Sequence, residues 1–150
     1  MENNNDLKWQ ILDAKRAHRE WVGRALLLIE GASVQKEMVP VNETACVFGK
    51  WYFSDGQILR NNNIFHDIGR VHEELHQKYA QIYALIFREQ TQSLFSKLIG
   101  KSASISPAEL QIAKQKYAEL NQISHTMVDL IDRLVNDIQM DESVAKLKLV

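Results

Sequence analysis

Apolar and small residues recur in the first third of the chain at Leu7, Ile11, Ala14, His18, Trp21, Ala25 and Leu28, in alternating steps of four and three. That spacing holds them on one face of a helix. His18 lies on this stripe, whereas Lys15, Arg16, Arg19 and Glu20 fall on the polar face, so the pattern predicts an imidazole pointing inward. Asn5 or Asp6 suits the helix start, and Gly31 suits an end that requires a left-handed residue.

The helical period lapses after residue 31, and Pro40, which lacks a backbone donor, argues for a loop. Cys46-Val47-Phe48-Gly49-Lys50-Trp51 then reads as a short turn or helical fragment closed by Ser54-Asp55-Gly56, with Gly49 permitting a close backbone approach. Following Asn61-Asn62-Asn63, a capping sequence, a second stripe runs through Phe65, Ile68, His72, Leu75, Tyr79, Ile82 and Ile86. His72 lies on it and His76 beside it, and the period predicts continuation through Leu94 and Leu98 to Gly100.

Ser106-Pro107-Ala108-Glu109 is a helix start: a serine cap, proline at the first helical position and glutamate three residues after the cap. Leu110, Ala113, Tyr117, Leu120, Ser124, Met127, Ile131, Leu134 and Ile138 continue it as a third long helix. The pattern predicts an all-α fold, an antiparallel helical bundle resembling a four-helix bundle if the third helix splits, with a short inserted Cys-bearing element. Ile112, Ile123 and Leu130 widen the third helix's apolar face, which fits either core or a homodimer surface. Residues 1–150 form one domain in this reading, with residues 1–5 and about 141–150 expected to fray.

Composition narrows the function classes. With 150 residues and 45% hydrophobic content the chain can bury one substantial core. Eighteen basic against 19 acidic residues leave no field to attract nucleic acid or an anionic membrane surface. A single cysteine forms no internal disulfide, which fits a reducing, cytoplasmic setting. The start of the chain resembles no signal peptide, and apolar runs fall well short of the ~18 residues of a membrane span.

The candidate chemistry gathers at Cys46. A thiolate and neutral imidazoles are preferred Zn²⁺ ligands, and His18, His72 and His76 stand at or beside inward positions. His72-Glu73-Glu74-Leu75-His76 puts two imidazoles four residues apart, with Cβ atoms roughly 5–6 Å from one another on one helix face. Each residue alone has an ordinary structural explanation, as a packed histidine or a buried thiol. Taken together, three separate elements each offer a soft or borderline ligand, which favours a metal site. His66 and His125 stay outside the ligand set, Asp67, Glu73 and Glu74 are assigned to solvated faces, and Trp21, Phe48 and Trp51 to packing that walls the metal from water.

His18-Arg19-Glu20-Trp21, Cys46-Val47-Phe48-Gly49-Lys50-Trp51 and His72-Glu73-Glu74-Leu75-His76 resemble, in order, the three signature segments of the chemoreceptor zinc-binding domain, CZB. Twenty-four residues separate the first two segments and 20 the last two, as that family's pattern requires. The resemblance implies a bacterial cytoplasmic sensory domain, helical and homodimeric, that holds one zinc through His18, Cys46, His72 and His76. It further implies that zinc occupancy, or oxidation of the cysteine, alters a helical arrangement felt by a chemoreceptor or a diguanylate cyclase. No receptor coiled coil or cyclase domain is recognisable beside the bundle, so output passes to a separate partner or a longer chain.

Two rivals come from other classes. A zinc hydrolase would keep an open metal position and use a base such as Glu73, and coordination by Cys46 would exclude it. A metal-free helical interaction protein would bind no zinc at all. The residues favour a non-enzymatic regulatory domain.

Overall fold

The computed structural model describes residues 4–87 and 105–148. Among the described residues there are four α-helices and no strand. They are α1 (Asn4–Ile29), α2 (Val47–Tyr52), α3 (Asn63–Ile86) and α4 (Pro107–Leu147), with 3-10 turns at Lys36–Met38 and Asp55–Leu59. The all-α bundle anticipated from the periodicity is the observed architecture.

Local chemistry accounts for most helix ends. Gly31, at φ 77°, closes α1: its N–H donates to Leu28 O while the Ala32 N–H reaches back to Leu27 O, the paired bonds of a left-handed glycine cap. α1 already begins at Asn4, so Asn5 and Asp6 lie in its first turn rather than at the cap. Asp6 there complements the positive end of the helix dipole. Asn62 caps α3 by accepting from the N–H groups of Ile64 and Phe65 at 2.8 and 3.2 Å. Ser106 and Glu109 cap α4 reciprocally: Ser106 Oγ accepts from Glu109 N–H at 3.2 Å, and Glu109 Oε2 accepts from Ser106 N–H at 3.1 Å.

Two lengths differ from the sequence expectation. α3 closes at Ile86, where the Phe87 N–H bonds Tyr83 O; Leu94 and Leu98 lie outside the described residues. α4 is not split but runs unbroken for 41 residues, because neither glycine nor proline follows Pro107 to interrupt it. It takes in Asp141–Leu147, part of the stretch expected to fray.

Paired contacts fix the directions. Asn62 bonds Asp137, Lys78 bonds Glu119 and Lys116 bonds Gln81, so numbering rises on α3 as it falls on α4. Lys15 with Asp132, His18 with Ser124 and Tyr117 with the Val22 carbonyl do the same for α1. α4 is therefore antiparallel to both, and most of its packing is against α3. All three predicted stripes supply the core, including Ile11, Ala25, Phe65, Leu75, Ile82, Leu120, Met127 and Leu134, each essentially inaccessible to solvent.

The Cys-bearing insertion is clamped onto α3 by its aromatic residues. Tyr52 stacks on Phe65 at 4.3 Å and 16°, and its hydroxyl donates to Phe65 O. Gly69 makes room for this: a Cβ there would stand 2.0 Å from the Tyr52 hydroxyl oxygen.

Candidate metal centre

Cys46 caps α2. Its sulfur accepts the Gly49 N–H at 3.1 Å and donates to the Glu43 carbonyl at 3.3 Å, so one turn of backbone aims the side chain. From the other side, one helical turn of α3 delivers His72 and His76, whose rings lie 4.7 Å apart. Cys46 Sγ is 3.3 Å from His72 Nε2, and one donor atom each from Cys46, His72 and His76 lies within 4.8 Å of the others. In a tetrahedral zinc site, sulfur and nitrogen ligands stand roughly 3.4–3.6 Å from one another. All three residues are buried, and they could hold a metal ion.

His18 is the fourth sequence candidate, and it does not join that group of donor atoms. Its Nε2 lies 3.0 Å from Ser124 Oγ on α4. The ring is nonetheless close by, since His18, Cys46 and His76 line one cavity of about 260 Å³ together with Trp21 and Phe48.

Protonation states suit coordination. Burial, followed by repulsion from neighbouring imidazoles, lowers the pKa of His18 to about 4 and of His72 to about 3. Burial also lowers that of His76, against an opposing bond to Val41 O. At neutral pH all three imidazoles are uncharged and keep a lone pair for a metal. Burial raises the Cys46 thiol pKa, opposed by backbone N–H groups at the start of α2, so binding an ion would displace a proton from sulfur.

The fit to a metal rests on the donor set itself, a buried thiol and two buried imidazoles. His72 Nδ1 is buried with no hydrogen-bond partner. The ring's other nitrogen, Nε2, is the one that faces Cys46 Sγ at 3.3 Å and stands as the donor atom beside the thiol, leaving Nδ1 without an outer acceptor. His76 shows the complementary feature. Its Nδ1–H donates to the Val41 carbonyl at 2.8 Å, which fixes the tautomer and frees Nε2.

The remaining sequence candidates fall outside the centre. His66 bonds the Arg60 carbonyl at the surface, and His125 is exposed. Asp67 pairs with Arg70, Glu73 accepts from Gln77, and Glu74 is exposed. Trp21 packs on His76 at 4.5 Å and Phe48 on His72 at 4.7 Å, while Trp51 touches Phe48 and bonds Gln10. Sequence reasoning missed two neighbours, the Val41 carbonyl and Ser124. Ser124 carried a signal, as the one small polar side chain on a stripe of apolar and aromatic residues; a backbone carbonyl carries none.

Fold and centre define a helical bundle with a buried Cys/His cluster that could hold a metal ion. Residues 18–83 match the family model of the chemoreceptor zinc-binding domain, CZB. The resemblance carried by the three signature segments therefore holds over a stretch that includes His18, Cys46, His72 and His76 and stops before α4. Nothing matches in the comparisons with curated proteins and with solved structures. Among the described residues no helix is long and apolar enough to cross a membrane.

Proposed function

We propose that this protein is a cytoplasmic zinc-binding regulatory domain in which His18, Cys46, His72 and His76 hold one Zn²⁺. Its signal is the packing of α1, α2 and α3 around that ion, read as a homodimer by a separate protein of the chemotaxis or cyclic-di-GMP type. The observation that carries this reading is the convergence of Cys46 with His72 and His76 in a buried group of metal-ligand dimensions, supported by the family match.

The chemistry links occupancy to structure. The ligands come from separate elements, so an ion clips α3 to the loop that carries Cys46 and, through His18, to α1. Oxidation of the zinc-held thiolate to sulfenic acid by a peroxide, whose O–O bond breaks as one oxygen passes to sulfur and the other leaves as hydroxide, weakens a ligand that the imidazoles do not replace. Loss of the ion or of the thiolate would loosen α2 from the bundle. A hydrolytic role finds less support, because Glu73, the base such an enzyme would use, is exposed and hydrogen-bonded to Gln77 at 3.2 Å.

Elemental analysis of the purified protein tests the reading. A tetrahedral four-ligand site predicts about one zinc per chain, with Cys46→Ala losing the metal or holding it far more weakly. Wild-type protein that stays metal-free after zinc addition would leave a helical interaction protein instead.

A further inference from the structure

We propose that Ser124 on α4 is the positioning residue for His18, accepting the imidazole Nε2–H so that Nδ1 is the nitrogen offered to the metal. This rests on the four-ligand reading and extends it to a helix outside the segment that matches the zinc-binding family.

Ser124 is out of place on helix propensity alone. It sits on the buried stripe between Leu120 and Met127, only 6% exposed, where alanine would favour the helix more. Its hydroxyl also behaves unlike those of the α4 residues Thr126 and Ser143. Thr126 and Ser143 turn back to the carbonyls of Gln122 and Gln139, four residues earlier. Ser124 Oγ instead meets His18 Nε2 at 3.0 Å, across 106 residues of chain.

A hydrogen bond at one imidazole nitrogen decides where the ring keeps its lone pair. If Nε2 carries the proton given to Ser124, Nδ1 is the basic atom. His76 already follows this scheme with reversed nitrogens, giving Nδ1–H to Val41 O and freeing Nε2. Two rings lining the same cavity as Cys46 would then each be held by an outer acceptor, one from the Cys-bearing loop and one from α4. Through Ser124, α4 becomes part of the metal centre. It is also the helix packed against both α1 and α3, so a change in how His18 is held reaches the bundle's longest element directly.

Zinc titration against a chromophoric chelator tests this on the full chain. Removing an outer-shell partner of a ligand typically costs about 10–100-fold in metal affinity, and Ser124→Ala is expected to fall in that range. Ser124→Thr, which keeps the hydroxyl, should recover most of the loss, and Co²⁺ absorption should return towards the wild-type spectrum with it. In a His18→Ala background, Ser124→Ala should weaken zinc binding no further, because the serine acts only through His18. Unchanged affinity in Ser124→Ala would overturn the proposal, as would an equal loss in the His18→Ala background. Tighter binding would overturn it too, by showing that the serine withholds His18 from the metal. Failure of wild type to bind zinc in a Cys46-dependent way, seen in the same titration, would sink the four-ligand reading itself.

Discussion

Delivery of the thiol turns on Gly49. A Cβ on this residue would lie 1.7 Å from the Glu43 carbonyl oxygen and 3.3 Å from Cys46 Sγ, and a backbone carbonyl cannot swing aside as a side chain can. Gly49→Ala is expected to displace the Cys46 turn and lower stability by roughly 1–3 kcal/mol, the usual cost of overpacking. Thermal denaturation and zinc content measure the two effects, and a variant unchanged in both would show that the loop yields without consequence. The sequence marks Gly49 as a point of close approach, but the chain segment it approaches is known only once the turn has folded. His72 and His76 were more legible, since four residues on a helix place two rings together whatever else the chain does.

For the elements, the start of α4 offers a test separate from the metal. Ser106→Ala removes the hydroxyl that accepts from Glu109 N–H, and loss of such a cap typically costs about 0.5–2 kcal/mol. Denaturant unfolding should register that loss while zinc affinity stays at the wild-type value; a parallel drop in affinity would tie this end of α4 to the centre. Caps and stripes were readable because their information is local: Gly31, Asn62 and Ser106 each act within a few residues of themselves. The extent of α4 was harder to read. The apolar period is the same for one long helix and for two collinear ones, so it left both forms open; among the described residues α4 is unbroken and the short α2 is a fourth helix.

Across the whole molecule, burying three uncharged imidazoles makes the metal-free protein sensitive to acid. In the unfolded chain they protonate near pH 6.5, while in the fold His18 is held to about 4, His72 to about 3 and His76 below its ordinary value. Between those limits the unfolded state binds more protons, so stability is complete above about pH 6.5 and declines as pH falls towards the folded values. Denaturant midpoints of zinc-stripped protein should hold steady above pH 7 and fall from about 6.5 towards 4. A flat profile across that window would mean the histidines are not buried as described. Apolar spacing along the chain was enough to dictate three long helices, the inward face of each and the pairing of His72 with His76, because a helix repeats every ~3.6 residues regardless of its surroundings. The meeting of Cys46 with His72, the Val41 carbonyl behind His76 and the engagement of His18 by Ser124 were decided by tertiary packing. They join residues 26, 35 and 106 positions apart, and only the register and direction in which the helices pack bring such distant groups within reach of one another.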